Sequence, residues 1–172
     1  MTPYAKLPAF DSSGQLNAVV DTPKGSNAKY KLDDATGLFR LGKCLPAGAA
    51  FPYNFGFIPG TKGGDGDPLD VMILMEAQVL LGIVVPVCLI GVLKVEQTET
   101  DGRLVRNDRL LAVLETPYNP PDITDIADVH PHRLDEIEHF FKSYNDMEGR
   151  DFRTIGRHGA EAARTLVRSS LR

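Results

Sequence analysis

The pattern of apolar and polar positions along the chain changes character after Pro120. Before that point, short apolar or alternating runs are separated by Gly, Pro and Asp, which is typical of β-strands joined by turns. The predicted strands are Leu16 to Asp21, Lys29 to Leu32, Gly37 to Leu41, Asp70 to Met75, Ile83 to Leu93, and Leu110 to Leu114. Their length and spacing favour a small barrel.

Beyond Pro120 and Pro121 the apolar residues recur at helical spacing. They are Leu134, Ile137, Phe140, Phe141 and Tyr144. Pro131 suits a first helical turn, and Gly149 is expected to close the helix. A short strand, Phe152 to Ile155, precedes a second predicted helix. Its apolar face contains Ala163, Leu166, Val167 and Leu171. The predicted fold class is therefore α+β, a closed antiparallel β-barrel flanked by two C-terminal helices.

Length and composition indicate one soluble domain. A chain of 172 residues suits a single domain, 1–172, with one core. Its apolar runs are shorter than the about 20 uncharged residues of a membrane span. The N-terminal sequence MTPYAKLPAF lacks a basic region followed by an apolar run, so a cytoplasmic protein without a membrane partner is expected. A net charge of -4 argues against nucleic acid as a partner.

Cysteine, histidine and the C-terminal arginines indicate no separate site. Cys44 and Cys88 lie among apolar neighbours without CxxC spacing, so we expect two buried, unreactive thiols and no disulfide or zinc site. The histidines lack ligand spacing and are expected at the surface: His130, His132, His139 and His158. The C-terminal arginines are expected on a solvated face: Arg150, Arg153, Arg157, Arg164, Arg168 and Arg172.

One segment concentrates negative charge. Asp65, Asp67 and Asp70 lie within six residues, immediately before an apolar run that starts at Val71. Three carboxylates so close repel one another unless a hard cation neutralises them, although a solvated turn is the plain alternative. An EF-hand loop is excluded because a strand follows where a helix is needed. An aspartyl phosphotransferase would place its first Asp at the end of an apolar strand, whereas glycines precede Asp65.

The motif Asp65-Gly66-Asp67-Pro68-Leu69-Asp70-Val71 resembles the signature of the soluble inorganic pyrophosphatases found in bacteria and eukaryotes. The resemblance covers roughly Asn17 to Met147. It is also carried by the flanking segments Phe51 to Pro59, Gly91 to Lys94, and His139 to Tyr144. It implies a five-stranded barrel resembling an oligonucleotide-binding fold and Mg²⁺-dependent hydrolysis of pyrophosphate. Several Mg²⁺ ions are implied, with Mn²⁺ as a substitute, and assembly as a homo-oligomer, a hexamer in bacteria.

The resemblance also assigns roles to intact positions. Asp65, Asp67 and Asp70 match the metal-binding acids, and Asp67 matches the catalytic base. Lys29 and Tyr144 match phosphate-binding residues. Three positions change conservatively. Lys43 stands where the family has a phosphate-binding Arg, Arg109 where it has a Lys, and Asp21 where it has a Glu.

Other positions depart from the family pattern. Lys31 replaces an acid, Phe51 and Phe55 replace tyrosines, Asn107 replaces a metal-binding Asp, and Asn145 replaces a phosphate-binding Lys. Replacement groups could come from neighbours. Lys142, Arg153 or Arg157 could replace the missing lysine. Asp108, Glu99 or Asp101 could replace the missing acid, although Glu99 and Asp101 are also consistent with a solvated acidic hairpin.

These changes leave several functions open. Pyrophosphate hydrolysis leads. A weakly active or non-catalytic relative that binds a metal and a phosphate-containing ligand is the alternative, and so is hydrolysis of a bulkier phosphoanhydride, if Phe51 and Phe55 give the pocket an apolar rim. A barrel that binds single-stranded nucleic acid is disfavoured by the acidic composition.

Overall fold

The structure is a computed structural model that describes residues 4–172. The strands are β1 Leu16–Thr22, β2 Ala28–Asp33, β3 Leu38–Cys44, β4 Asn54–Phe57, β5 Asp70–Ile73, β6 Val84–Thr98, β7 Leu104–Arg106, β8 Arg109–Leu114 and β9 Phe152–Gly159. The α-helices are α1 Pro131–Asp146 and α2 Ala160–Ser169. Short 3₁₀ turns lie at Tyr4–Lys6 and Ile126–Asp128. The sheet-rich fold with two helices agrees with the predicted α+β class.

The main sheet is organised around the long strand β6. Neighbouring strands follow the order β1-β4-β5-β8-β6-β7, β9 also pairs with β6, and β1 pairs with β6 as well as with β4. All pairs are antiparallel except β5 and β8, which run parallel. The prediction of a purely antiparallel sheet is therefore wrong. Parallel neighbours need a crossover connection, and here β6 and β7 lie between β5 and β8 in the chain and serve as that crossover.

Strands β2 and β3 form a separate two-stranded sheet. Most side chains of β3 are solvent-exposed because the hairpin has no layer packed over that face. Cys44 lies at the end of β3 and is exposed, whereas Cys88 is half-buried. The expectation of two buried thiols is wrong for Cys44, since its strand lies outside the main sheet.

Helix α1 begins and packs as its sequence predicts. Pro131 occupies the first turn, and Leu134, Ile137 and Phe141 are buried against the sheet. Gly149, with φ +68°, follows the helix in the left-handed conformation that glycine adopts most easily.

Helix α2 buries Ala160, Ala163 and Val167. Leu171, predicted on the same face, lies beyond the helix and is 47% exposed, where it bridges to Thr61. No helix among residues 4–172 is long and apolar enough to cross a membrane.

Two groups of buried side chains hold these elements together. One lies under β1, β5, β6 and β8 and includes Val20, Val92 and Val167. The other packs α1 against the opposite face of the sheet and includes Phe55, Met72 and Ile137. Because residues of one strand alternate between faces, the short strands contribute to both groups. The candidate site lies where the second group meets the β2–β3 hairpin.

Candidate functional site

A cleft of about 480 Å³ gathers the residues that the sequence singled out. Its walls come from the β2–β3 hairpin, the loop that precedes β5, the start of β8, and the C-terminal end of α1. The lining includes every site residue named above for metal or substrate: Asp21, Lys29, Lys43, Asp65, Asp67, Asp70, Asn107, Arg109, Tyr144 and Asn145. Residues from distant parts of the chain therefore converge on one cleft.

The loop that carries the aspartates is held at its base by Thr61. This buried hydroxyl donates to the Ile58 carbonyl at 2.6 Å and accepts from the Leu69 amide at 3.0 Å. Within the loop, the Gly63 amide donates to the Asp67 carbonyl at 2.7 Å. The segment is thus a turn, as the plain alternative drawn from the sequence has it. The backbone hydrogen bonds that close the turn compete successfully with a strand.

The turn brings the carboxylate of Asp65 to the backbone amide of Asp67. Oδ1 of Asp65 accepts from the amide of Asp67 at 3.1 Å. Desolvation raises the pKa of Asp65, and the neighbouring charges of Asp70 and Asp67 raise it further. The hydrogen bond from the Asp67 amide lowers the pKa and so opposes this rise. A carboxylate in such a setting gains from a nearby cation.

Cationic side chains of the protein already face two of the three acids. Nζ of Lys31 lies 2.7 Å from Oδ2 of Asp67, and Asp67, Asp65 and Asp70 all raise the pKa of Lys31, mainly through the hydrogen bond to Asp67. Arg109 is buried and forms an ion pair with Asp70. Lys31, which departs from the family pattern, therefore lies on the acidic side of the cleft.

The donor chemistry of this side of the cleft fits a hard cation. Asp65, Asp67 and Asp70 offer only carboxylate oxygens, the ligand type that Mg²⁺ and Mn²⁺ prefer. Within the described residues 4–172, however, no three His, Cys, Asp or Glu side chains surround a common metal position. A bound cation would therefore displace the present ion pairs of Asp67 and Asp70.

The opposite side of the cleft carries lysines and a phenol. Nζ of Lys29 lies 3.1 Å from Asp21 and 4.2 Å from the centre of the Phe55 ring. Burial raises the pKa of Asp21, and the charge of Lys29 opposes the rise. The Asp21 carboxylate thus orients Lys29 at the edge of the aromatic cluster.

Lys43 lies over the ring of Tyr144, with Nζ 3.8 Å from its centre, and forms an ion pair with Glu148. Burial lowers the pKa of Lys43, against its hydrogen bond to Glu148. Burial also raises the pKa of Tyr144, so its hydroxyl stays protonated and can donate a hydrogen bond at neutral pH.

The two phenylalanines form the floor of the cleft. Phe51 and Phe55 are only 2% and 3% exposed, and Phe51 packs edge-on against Phe140 and Tyr144. The expectation of an apolar rim is therefore wrong. These rings are covered because α1 packs directly over them.

The two asparagines are both engaged by protein groups. Oδ1 of Asn107 accepts from Nη1 of Arg109 at 2.5 Å. Asn145 is 2% exposed, and its amide donates to the Phe141 carbonyl at 2.8 Å, one turn earlier in α1. Neither asparagine brings a charge to the cleft.

The cationic neighbours expected to compensate point elsewhere. Lys142 is exposed and bonds Asp146 at 2.7 Å, because these residues are one turn apart on the outer face of α1. Arg153 bonds Glu96 at 2.8 Å, and Arg157 bonds residues of α1. None of these three cations lines the cleft.

The acidic neighbours divide between the two sides of the strand. Asp108 accepts from the Val95 amide at 2.9 Å on the face away from the cleft, as strand alternation predicts. Asp101 pairs with Arg103 in the hairpin, whereas Glu99 lines the cleft. Glu99 is therefore the hairpin acid that reaches the site.

Some cleft residues carry no earlier functional assignment, among them Gln97, Glu148 and Arg150. Gln97 is buried and its Oε1 accepts from Nη2 of Arg109 at 3.4 Å. Glu148 and Arg150 follow α1 and also line the cleft. Arg150, expected on a solvated face, lies here because the turn at Gly149 directs the chain back. A glycine just after the helix was the available sequence signal.

Comparisons with known proteins identify the family of this chain. The family model described as inorganic pyrophosphatase matches residues 18–172. Soluble inorganic pyrophosphatase 2 of Chlamydomonas reinhardtii is 35% identical over 95% of this chain and 83% of its own length. The inorganic pyrophosphatase of a Nostoc strain is 32% identical, over 98% of this chain and 96% of its own.

The fold comparison gives the same result. The crystal structure of the inorganic pyrophosphatase of Thermus thermophilus superimposes with a TM-score of 0.86 and 32% identity, covering 97% of this chain and 95% of that one. The family-model match, residues 18–172, includes every residue that lines the cleft. On these grounds, the chain belongs to the inorganic pyrophosphatase family.

Proposed function

We propose that this protein hydrolyses inorganic pyrophosphate to two phosphates with the help of divalent cations, Mg²⁺ or, as a substitute, Mn²⁺. The observation that carries the proposal is that one cleft gathers acidic, basic and phenolic groups. Asp65, Asp67 and Asp70 line it together with Lys43 and Tyr144. A substrate with charged phosphates at both ends needs both kinds of group.

Asp65, Asp67 and Asp70 would hold the cations, which would lower the pKa of a bound water and neutralise phosphate charge. Asp67, whose side chain is 57% exposed, accepts the proton that the attacking water loses. The water oxygen then forms a bond to phosphorus while the bridging P–O bond breaks. The leaving phosphate takes the bond electrons and is stabilised by positive side chains.

The substrate-binding groups act mainly through fixed charge and hydrogen bonds. Lys29 and Lys43 attract phosphate oxygens, and the Tyr144 hydroxyl donates to one. Arg109 is buried and is held by Asp70 and Asn107. It therefore orients the acidic part of the cleft. Electrostatic groups held in place before substrate binds contribute most to transition-state stabilisation.

The proposal also covers the barrel, the oligomeric state and the cellular location. The pairing sequence β1-β4-β5-β8-β6 and back to β1 supports a closed five-stranded barrel within one domain, residues 1–172. Assembly as a homo-oligomer, a hexamer as in bacterial members of the family, and a cytoplasmic location are proposed from the family resemblance. Light scattering of the purified protein tests the hexamer.

Phosphate release from pyrophosphate in Mg²⁺ tests the reaction. The wild type should release phosphate, and Asp67→Asn should lower the rate by about a hundredfold or more because the proton acceptor is lost. Asp122→Asn is a matched control, since Asp122 is exposed and does not line the cleft, and it should leave the rate unchanged. Equal rates in wild type and Asp67→Asn at the background level would exclude the proposal.

A second candidate function is binding of metal and phosphate with little turnover. The Lys31–Asp67 ion pair favours it, because the proposed base must leave an ammonium partner before it can bind a cation. Calorimetry that finds tight pyrophosphate binding without phosphate release would support this candidate, and robust turnover would exclude it. A panel of organic diphosphates, compared with pyrophosphate, tests a bulkier substrate in the same assay.

A further inference from the structure

Arg150 reaches the cleft through a compact turn after α1. The amides of Glu148 and Arg150 both donate to the Asn145 carbonyl, at 2.9 and 3.1 Å, and the Gly149 amide donates to the Asp146 carbonyl at 3.0 Å. These bonds fold the chain back onto the end of the helix. The turn therefore places Arg150 next to Asn145 and on the same wall as Lys43.

The guanidinium group of Arg150 has N–H donors that make no hydrogen bond within the part of the chain that the structure describes. Among the described residues it makes no side-chain hydrogen bond, and its buried Nε has no partner. The nearest carboxylate oxygens, on Glu148 and Glu99, lie 3.9 and 4.0 Å from its nitrogens, beyond hydrogen-bond distance. These acids attract the guanidinium without satisfying its N–H groups.

Another arginine of the cleft is engaged differently. The terminal nitrogens of Arg109 donate to Asp70, Asn107 and Gln97, so only its Nε, like that of Arg150, has no partner among the described residues. Arg153, three residues beyond Arg150, bonds Glu96 at the exposed surface. Buried polar groups are normally paired, so the unused donors of Arg150 indicate a partner that binds from the cleft.

The surroundings define that partner as an anion with several acceptor oxygens. Arg150 lies beside the lysine and phenol side of the cleft, near Lys43 and Tyr144. Asn145, buried and bonded to its own helix, supplies no charge at this wall. A guanidinium presents a planar fork that can bind two phosphate oxygens at once.

We propose that Arg150 binds one terminal phosphate group of the substrate through its guanidinium N–H donors. This inference rests on the proposed function for the identity of the phosphate. Glu148 and Glu99 hold the guanidinium in the cleft without occupying its donors. The turn that ends α1, with glycine at position 149, places this cation in the cleft.

Calorimetric binding of methylenediphosphonate, a non-hydrolysable analogue of pyrophosphate, tests the inference in the presence of Mg²⁺. Arg150→Gln should weaken binding about tenfold to a hundredfold, as expected for one or two lost charge-assisted hydrogen bonds. The pyrophosphate KM should rise by a similar factor while kcat changes less. Arg153→Gln is the matched control and should bind as the wild type does.

The outcomes separate the two proposals. Binding by folded Arg150→Gln within twofold of the control overturns the inference, and so does a lower melting temperature with unchanged affinity, which would assign Arg150 a structural role only. If Arg150→Gln does not fold, Arg150→Met keeps the aliphatic stem and decides by the same criterion. Absence of turnover in the wild type would overturn the proposed function while the binding result still decides the role of Arg150.

Discussion

The ion pair between Lys31 and Asp67 allows a prediction about metal affinity. Lys31 places an ammonium group on a carboxylate that is proposed to bind a divalent cation. The ammonium and the cation therefore compete for Asp67, and they repel each other if both remain nearby. We expect Lys31→Gln to bind Mn²⁺ more tightly than the wild type, and Lys31→Glu to bind it more tightly still.

The magnitude follows from the exposure of the pair. The side chains of Lys31 and Asp67 are 69% and 57% exposed, so the dielectric constant of water is the appropriate one. Two unit charges about 4 Å apart then interact by about 1 kcal/mol, and a divalent ion doubles this to about 2 kcal/mol. Salt screening reduces the effect, so removing the ammonium should tighten metal binding by about tenfold.

Electron paramagnetic resonance of Mn²⁺ titrated into the protein without substrate measures this affinity directly. Lys142→Gln is the control, because Lys142 is an exposed, ion-paired lysine outside the cleft. The melting temperature should change little, since exposed ion pairs contribute at most about 1 kcal/mol. If Mn²⁺ affinity does not decrease in the order Glu, Gln, Lys at position 31, the ammonium group does not compete with the cation for Asp67.

Three further changes test the fold and the site. Asp125→Ala should lower the free energy of unfolding by about 1–2 kcal/mol in urea titrations, because Oδ2 of Asp125 accepts the Ala160 amide at 2.8 Å at the start of α2. This hydrogen bond is the largest of the causes that lower the pKa of Asp125. Its stabilisation is therefore complete above the ordinary pKa near 3.8 and is lost as pH falls through the lower, folded value; a wild-type advantage over Asp125→Ala that does not shrink as the pH falls below 3.8 would contradict this. Gly56→Ala should destabilise by about 3 kcal/mol or more, or prevent folding, since its Cβ would lie 1.9 Å from a carbonyl oxygen of β1; a melting temperature equal to that of the wild type would refute the close strand approach. Tyr144→Phe should raise the pyrophosphate KM several-fold without a large change in melting temperature, and an unchanged KM would remove the hydroxyl from the substrate-binding groups.

Local patterns predicted the regular elements well where they were long. Helix α1 and strand β6 have enough residues for the period of apolar positions to be recognised, and Pro131 marks the start of the helix. Strand β4 has only four residues, all buried, so alternation could not reveal it. The parallel pairing of β5 with β8 depends on which strands meet, and local periodicity carries no information about that.

The cleft shows the same division. The spacing of Asp65, Asp67 and Asp70 identified the acidic loop before any geometry was known, because three carboxylates within six residues repel one another whatever the fold around them. The ion-pair partner of Asp67 could not be predicted from local spacing. Lys31 comes from a hairpin 36 residues away, and only the folded chain brings its ammonium to that carboxylate.

Arg150 and Lys142 illustrate why sequence proximity misleads at the end of a helix. Lys142 is closer in sequence to the position that departs from the family, yet the helical turn directs it to the outer surface. Arg150 lies beyond the helix, and the hydrogen bonds of the following turn return it to the cleft. The amino-acid sequence by itself determined the family, the acidic loop and the main helices, because these depend on residue type and short spacing. Only the tertiary structure decided which charges meet in the cleft, because that depends on strand pairing and chain reversal between distant segments.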